Sequence, residues 1–268
     1  MSQQFRQNNL DFGEGRGLKL TTIVGFLFLY IPILILMLYS FNASRVASHW
    51  GGWSIKWYIE MFQDRNLWAA VTNTLIIGIL NTVVSIILGT LAALGLHRFN
   101  YRFHQSLLLI LNMPIIVPDI ILGVSLLMFF VLLNLSLGIV SITIAHITFS
   151  ISFVTLIVLS KLAQFNKTLE DAAKDLGANN WQVFWKITFP NILPGITAGG
   201  LLAFTMSIDD FIVTYFTSGV GSTTLSVYIY SMVKRGITPE INAISTLLVA
   251  ITIALIFGIS HIQRKPQD

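Results

Sequence analysis

Residues 168–194 read TLEDAAKDLGANNWQVFWKITFPNILP and form a polar, amphipathic interruption between apolar segments of the chain. Thr168 is a favourable cap for a helix N-terminus, and Glu170 and Asp171 suit its first turn because carboxylates stabilise the positive end of the helix dipole. Gly177 is the expected C-cap, since glycine adopts a positive φ at little cost. The first part of the stretch is therefore predicted to be a short helix that ends at a glycine.

A second amphipathic helix and a proline stop are predicted in the rest of the stretch. An apolar stripe at helical spacing is formed by Trp181, Phe184, Trp185 and Thr188. The segment is too polar to span a bilayer, and its stripe favours a helix that lies on the membrane surface. The small side chains of Ala172 and Ala173 favour a different use, because they would let another protein approach the first helix closely.

The composition is that of an integral membrane protein. Hydrophobic residues make up 54% of the 268 residues and charged residues 10%, with a mean hydropathy of +0.76, whereas a soluble domain has about a quarter charged residues. The absence of cysteine excludes disulfides and thiolate metal sites. The net charge of +4 does not indicate nucleic-acid binding, because the positions of the charges decide its meaning.

Several segments are long and apolar enough to span a bilayer, which takes about 20 residues. They are residues 20–41, 69–96, 106–133, 138–160, 191–217 and 241–262. The predicted fold class is therefore all-α, a polytopic membrane protein with six transmembrane helices. Pro114 and Pro118 in the third segment, and Gly199 and Gly200 in the fifth, predict kinked or closely packed helices.

The distribution of lysine and arginine predicts the orientation, because cytoplasmic loops carry an excess of both. With the N-terminus in the cytoplasm, 11 of the 16 basic residues lie inside: Arg6, Arg16, Lys19, Arg98, Arg102, Lys161, Lys167, Lys174, Lys186, Arg264 and Lys265. The other 5 lie outside: Arg45, Lys56, Arg65, Lys234 and Arg235. The predicted organisation is a cytoplasmic tail at 1–19, a transmembrane domain at 20–262 with a cytoplasmic loop at 161–190, and a second cytoplasmic tail at 263–268.

The sequence contains no recognisable enzyme site. The Walker A pattern G-x-x-x-x-G-K-[ST] is absent, so ATP, if it is used, must be bound by a partner. No histidine pair has zinc spacing, and no serine lies in G-x-S-x-G. His146, inside the fourth segment, is expected to bond a neighbouring helix. We therefore expect no catalytic site, no metal and no cofactor.

Three acidic residues lie inside predicted spans: Asp119, Asp209 and Asp210. A charge at the bilayer centre costs about 2.5–3.5 kcal/mol, so such groups usually face a cavity or a partner. No lysine or arginine lies at a span centre, which favours a cationic substrate, and Phe211 and Tyr215 would supply cation–π faces. The alternative is structural: Asp210 caps a neighbouring helix or pairs with a partner, and Asp119 accepts bonds from backbone groups freed by Pro118.

Asp209 and Asp210 are expected to have different roles. Adjacent residues on a helix point about 100° apart, so both side chains cannot face one narrow pore. One is expected to face the translocation path and the other to bond a neighbouring helix or a partner subunit. The sequence leaves open which residue does which.

The segment 168–190 resembles the EAA loop of ABC-importer permeases, whose pattern is Glu-Ala-Ala, three residues, Gly, nine residues, Ile, one residue, Leu-Pro. The positions on this register are Asp171, Ala172, Ala173, Gly177, Ile187 and Pro190. Asp171 stands where Glu is usual, with Glu170 beside it, and Phe189 stands where Leu is usual. The resemblance implies that these positions, together with Glu170, form the surface to which a separate ATPase binds.

Further segments resemble the permeases of spermidine/putrescine importers, above all the second of their two permease subunits. They are YIPILILMLYSFNASR (30–45), MPIIVPDIILGVSLL (113–127), LLAFTMSIDDFIVTYFTSG (201–219) and YSMVKRGITPEINAISTLL (230–248). The resemblance covers the chain from about residue 20 and implies a type I ABC-importer permease fold in the bacterial inner membrane. The implied partners are membrane lipid, a sister permease in a heterodimer, two cytoplasmic ATPase subunits and a periplasmic polyamine-binding protein.

The expected function is therefore that of a permease subunit in an ATP-driven importer of polyamines. One alternative keeps this class and changes the substrate to another small cationic solute, because related importers share parts of these segments. A second alternative is a secondary transporter that uses Asp119, Asp209 and Asp210 as a proton or cation relay. The register of the 168–190 segment and the lack of an inverted repeat disfavour it. A membrane-embedded enzyme lacks any nucleophile or metal constellation.

Overall fold

The structure, a computed structural model, describes residues 16–45, 49–98, 104–236 and 238–263. Side chains are described in these ranges except at residues 16, 251–252 and 254–263. Residues 1–15 and 264–268 of the predicted tails at 1–19 and 263–268 lie outside the described residues. Residues 16–19, predicted as tail, begin the first helix.

The described ranges are mostly helical. The α-helices are α1 (Arg16–Tyr39), α2 (Lys56–Gln63), α3 (Arg65–Arg98), α4 (His104–Ile116), α5 (Asp119–Leu132), α6 (Ile139–Ala163), α7 (Thr168–Asp175), α8 (Asn180–Val183), α9 (Phe189–Asp209), α10 (Ile212–Thr217), α11 (Leu225–Arg235) and α12 (Pro239–Gln263). A π-helical turn, Phe184–Thr188, lies between α8 and α9. Within these ranges the extended structure is limited to an isolated bridge between Asn42 and Trp53. The predicted all-α class is confirmed.

Packing divides the chain into two compact units. One comprises Asp64–Ser231, and the other comprises Met1–Gln63 with Met232–Asp268. In the latter, α12 packs against α1 and α2. Trp57 on α2 is buried there, and its indole Nε1 donates to the backbone carbonyl of Asn42 at 2.7 Å. The single transmembrane domain expected at 20–262 stays a prediction.

The core of the 64–231 unit forms where α3, α6 and α9 pack together. Val154 on α6 is fully buried and faces Gly89 on α3 and Gly199 on α9. A Cβ built on Gly89 would lie 2.8 Å from the Val154 side chain, and one on Gly199 would lie 3.3 Å from it. Small residues therefore permit the close approach of these helices, as expected in a membrane, where packing contacts drive helix association.

A buried amide joins the same three helices. Asn81 on α3 is fully buried, and its Nδ2 donates to the Ser150 hydroxyl of α6 and to the Ala203 carbonyl of α9, each at 3.1 Å. The Ser85 hydroxyl donates to Asn81 Oδ1 at 3.2 Å. Because an unpaired polar group is costly in an apolar medium, these bonds fix the register of the three helices.

The third predicted span, 106–133, is not one straight helix. It is divided into α4 and α5, whose axes differ by 107° across residues 117 and 118. Pro118 causes the break because it lacks a backbone N–H and disfavours the helical conformation of the residue before it. The proline thus does more than produce the expected kink.

The number of spans was predicted to be six. Among the described residues, four helices are long and apolar enough to cross a membrane, or up to five if the bent α4–α5 pair is one span. The sixth predicted segment, 241–262, coincides with α12, of which about half the side chains lie outside the described part of the chain. The count of six therefore stays a prediction.

The fifth predicted span, 191–217, has different bounds. A continuous helix runs from Asn180 through the π-helical turn and α9 to Asp209, and α10 is a separate short helix. The expected proline stop is absent, because Pro190 and Pro194 both lie inside this helix. Just before Pro190 the helix has a π-helical turn, in which the Phe189 N–H donates to the Phe184 carbonyl five residues earlier. This local change of hydrogen-bond pattern accompanies the proline without ending the helix.

A pair of glycine substitutions on α3 tests the packing of the core. Gly95→Ala should be neutral or stabilising, because no atom lies within 4 Å of its Cβ position and alanine favours a helix by about 1 kcal/mol. Gly89→Ala should instead destabilise by roughly 1–3 kcal/mol, because the added carbon overlaps Val154. Thermal unfolding of the purified chain in detergent measures both, and equal shifts for the two variants would contradict this packing.

Candidate functional site

The amphipathic segment (residues 168–190) begins with α7, whose C-terminus has the predicted glycine cap. Gly177 has φ +86°, and its N–H donates to the Lys174 carbonyl at 2.8 Å. The Ala178 N–H donates to the Ala173 carbonyl at 3.0 Å, which completes a Schellman motif. Among the described residues, no atom lies within 4 Å of a Cβ built on Gly177. Glycine is therefore required here by the backbone conformation.

The N-terminal caps of the segment differ from the prediction. Thr168 is not the cap but the first residue of α7, and its backbone N–H donates to Asn166 Oδ1 at 3.0 Å. A second cap was missed: Asn179 and Gln182 form a capping box at the start of α8, with both bonds at 2.9 Å. The Asn-x-x-Gln spacing is a signal that sequence reasoning could have used.

The two adjacent acids of α7 have different surroundings. Glu170 is half-buried: its Oε1 accepts from Arg98 Nη2 at 3.0 Å and from the Thr188 hydroxyl. Asp171 is exposed, and the structure gives its carboxylate no hydrogen bond among the described residues. The two carboxylates, which the sequence assigned to one surface, thus lie in different environments.

The outer side of the amphipathic segment presents apolar side chains to the exterior of the chain. Leu176 is 89% exposed and Trp181 70% exposed. Asp171, Ala172 and Pro190 are also exposed, whereas Ala173 and Ile187 are half-buried. The predicted apolar stripe is therefore divided, because Thr188 is buried while Trp181 is not.

A cavity of about 450 Å³ lies in the 64–231 unit, beside the break between α4 and α5. It brings together three acids and one aromatic residue that the sequence placed on the substrate path: Asp119, Asp209, Asp210 and Phe211. The rest of the lining is apolar: Pro114, Ile115, Phe149, Phe153, Met206 and Ile212. Tyr215 is not among the lining residues, and its ring instead contacts the Phe211 and Tyr230 rings, with centroids 5.6 and 6.2 Å apart.

Asp210 makes structural hydrogen bonds at the end of α9. The helix stops at Asp209, and Asp210 is extended with ψ 124°, so the expectation of two carboxylates 100° apart on one helix is wrong. Asp210 Oδ2 accepts from the Thr214 N–H at 2.7 Å and from the Thr214 hydroxyl at 2.8 Å. It also lies 3.3 Å from His146 Nε2. Asp210 therefore bonds the neighbouring helices α6 and α10.

His146 completes this buried polar cluster. It is fully buried on α6, with Nδ1 2.7 Å from the Ser207 hydroxyl and Nε2 2.9 Å from the Thr214 hydroxyl. The expectation that this histidine bonds a neighbouring helix is confirmed. Its contacts reach α9 and α10, so it joins the two helices on either side of the break.

Asp119 and Asp209 are the exposed carboxylates of the cavity. Asp119 is the first residue of α5, where a negative charge interacts favourably with the helix dipole. The expected bonds from Asp119 to backbone groups freed by Pro118 are not formed in the described structure. Two carboxylates thus remain directed to the cavity while the third is used inside the fold.

Comparison with known proteins shows the family. Residues 85–264 match the family described as "Binding-protein-dependent transport system inner membrane component". The chain is 40% identical over 248 residues to the putrescine transport system permease protein PotI of Escherichia coli (strain K12), covering 90% of this chain and 88% of that protein. It is 38% identical over 242 residues to the spermidine/putrescine transport system permease protein PotC of Haemophilus influenzae, covering 90% and 94%.

Solved structures show the same fold. A bacterial ABC transporter involved in the import of alginate matches with a TM-score of 0.70 at 16% identity, covering 94% of this chain and 98% of that chain. The MetNI methionine ABC transporter matches with a TM-score of 0.56 at 22% identity, covering 75% and 94%. The chain belongs to the inner-membrane permeases of binding-protein-dependent transport systems. It is a multi-pass inner-membrane protein and the permease of an ABC importer.

The two acids at the end of α9 predict different mutant phenotypes. Asp210→Asn should lower the stability of the chain by roughly 1–3 kcal/mol, because a charged acceptor of several hydrogen bonds is lost. Asp209→Asn is the matched control and should leave stability unchanged. Thermal unfolding in detergent measures both, and a stable Asp210→Asn variant would show that these bonds contribute little.

Proposed function

We propose that the chain is the permease subunit of an importer of polyamines such as spermidine and putrescine. The observation that carries this proposal is the cavity in which two exposed carboxylates, Asp119 and Asp209, lie together with aromatic rings. A polyamine is a flexible chain with ammonium groups at intervals, so separate carboxylates compensate its charges. The names of the relatives PotI and PotC support the same substrate class.

The properties of the cavity favour a cation over an anion. In the described part of the chain no lysine, arginine or histidine lines it. Its volume of about 450 Å³ is within the range of small-molecule sites, which is roughly 300–1,000 Å³. Phe211, Phe149 and Phe153 supply apolar surface for methylene groups and ring faces for ammonium groups. Tyr215 contributes by packing against Phe211.

The amphipathic segment is the proposed contact with the ATPase. Its exposed surface combines Asp171 and Ala172 with the apolar Leu176 and Trp181, and such a mixed surface fits a protein groove. Gly177 sets the angle at which the surface is presented. Ala173, Ile187 and Pro190 belong to the same register of the segment.

The proposed assembly contains a sister permease, two cytoplasmic ATPase subunits and a periplasmic polyamine-binding protein, embedded in membrane lipid. Both termini and the 161–190 loop lie in the cytoplasm in this proposal, because ATP is there and the basic residues favour it. The chain itself performs no covalent chemistry and uses no cofactor. Closure of the ATPases would displace the amphipathic segment, tilt α9 and α3, and expose the cavity to each side of the membrane in turn.

Uptake of radiolabelled spermidine and putrescine into proteoliposomes containing the full complex tests the substrate. Asp209→Asn and Asp119→Asn should each slow uptake at least about fivefold while the complex assembles normally, because a polycation in a low-dielectric passage loses a compensating charge. The control is Glu60→Gln on α2, which lies outside both the cavity and the amphipathic segment. Its carboxylate pairs with Lys56 at the surface, an interaction of small energy.

Two results would contradict this proposal in different ways. If Asp209→Asn and Asp119→Asn both take up polyamine at the parental rate, these carboxylates do not form part of the substrate path. If the parental complex transports no polyamine but its ATPase is stimulated by the binding protein loaded with another cation, the importer class stands and the substrate is the alternative cationic solute.

Gly177→Ala and Gly177→Asp test the contact with the ATPase. Either side chain strains a residue at φ +86°, so the segment should be presented at a different angle, and copurification of the ATPase should fall by about tenfold. Gly25→Ala is the control, because no atom lies within 4 Å of its Cβ position and its φ is not positive. Normal copurification and uptake with the Gly177 variants would exclude this role.

A further inference from the structure

Helix α7 is held to the rest of the chain by very little buried surface. None of its residues is buried, and Leu169 is 46% exposed. It starts after Lys167 and is followed by Gly177, whose positive φ turns the chain. If the ATPase displaces α7, the displacement reaches the membrane-spanning helices only through the bonds that join α7 to them. These bonds therefore decide how force is transmitted.

Glu170 supplies those bonds. Among the described residues, Glu170 is the residue of α7 whose side chain forms hydrogen bonds or ion pairs with other helices. Its Oε1 is 3.0 Å from Arg98 Nη2, at the last residue of α3. The same oxygen accepts from the hydroxyl of Thr188, which is 1% exposed and is the last residue of the π-helical turn that leads into α9.

These contacts connect three elements at one point. Arg98 Nη2 also lies 3.4 Å from the Thr188 hydroxyl, so the three polar groups close a triangle. α3 and α9 pack against α6 and against each other in the core. A displacement of α7 would therefore reach the C-terminal end of one core helix and the N-terminal end of another.

We propose that Glu170, Arg98 and Thr188 form a latch through which α7 moves α3 and α9 as one body. The proposal rests on the proposed function of the amphipathic segment as the point where the ATPase pushes. The three are positioning residues, and Glu170 does not contact the ATPase. Its neighbour Asp171, exposed and unbonded in the described structure, is the carboxylate available to the partner.

The latch and a direct contact predict opposite behaviour for the two adjacent acids. Loss of a contact residue weakens binding of the ATPase. Loss of a latch residue leaves the ATPase bound and still hydrolysing ATP. The displacement of α7 then no longer tilts α3 and α9. The ratio of solute imported to ATP hydrolysed separates these cases, and a merely structural role in folding would not change that ratio.

The experiment uses the complete complex in proteoliposomes, with Glu170→Gln, Arg98→Gln, the double variant, Asp171→Lys and the control Glu60→Gln, which lies outside the amphipathic segment on α2. Glu170→Gln and Arg98→Gln should retain the ATPase subunits at the parental level and lower polyamine import per ATP by at least about fivefold. The double variant should be no worse than the worse single variant, because both remove one interaction. Asp171→Lys should lose the ATPase, and Glu60→Gln should behave as the parent.

Three results would overturn the latch. If Glu170→Gln imports as much polyamine per ATP hydrolysed as the parent, the bonds of Glu170 do not transmit the movement of α7. Loss of the ATPase from Glu170→Gln but not from Arg98→Gln would make Glu170 a contact residue. Losses in import per ATP that multiply in the double variant would show that the two residues act independently.

A second measurement does not depend on the substrate, so a wrong assignment of polyamine is distinguishable from a wrong latch. The chain has no cysteine, which allows spin labels at Lys174→Cys on α7 and Leu91→Cys, 61% exposed on α3. The distance distribution should be narrow in the otherwise parental complex with and without ATP, and it should broaden in Glu170→Gln. An unchanged distribution would overturn the latch even if uptake fails for other reasons.

Discussion

The close approach of α3, α6 and α9 is the constraint on which the rest of the structure depends. Because lipid tails are as apolar as the side chains, the hydrophobic effect does not drive these helices together. They associate through packing contacts and buried hydrogen bonds instead. Gly89 and Gly199 admit Val154 between them, and Asn81 bonds both other helices. This core fixes where α3 ends and where α9 begins. It therefore places Arg98 and Thr188 close enough for one carboxylate to reach both.

The cavity exists because two apolar segments stop being helical. Pro118 turns the chain by 107° and places Asp119 at the start of a new helix. At the other break, Asp210 replaces the missing helical bonds by accepting from Thr214 and lying against His146. Irregular backbone at membrane depth is tolerated where it is satisfied by neighbours or lines a cavity, and both conditions are met here. The breaks leave Asp209 and Asp119 exposed on the same space.

Two pairs of adjacent acids follow one rule. In Glu170–Asp171 and in Asp209–Asp210, one carboxylate is bonded inside the fold and the other is exposed. The bonded member sets the geometry of a junction: Glu170 that of α7 with two core helices, Asp210 that of α9 with α10. The exposed member is then free for a partner or a solute. Mutations at the two members of each pair should therefore have different effects. A mutation of the bonded member should affect assembly or the transmission of movement, and a mutation of the exposed member should affect recognition.

The sequence by itself determined what local chemistry and hydropathy decide. It predicted the membrane class from composition and the C-cap at Gly177. It also predicted the bonding of His146 to a neighbouring helix, and a family that the comparisons then showed. It was wrong about Thr168 as a cap, about a proline stop and about a fifth span that continues past Asp210. It predicted a kink in the third span, where the chain in fact turns by 107°. The tertiary structure alone decided which acid of each pair is bonded, because Glu170 meets Arg98 and Thr188 across 72 and 18 residues of sequence. Asp210 likewise meets His146 only after α6 and α9 have packed, and no local pattern encodes such contacts.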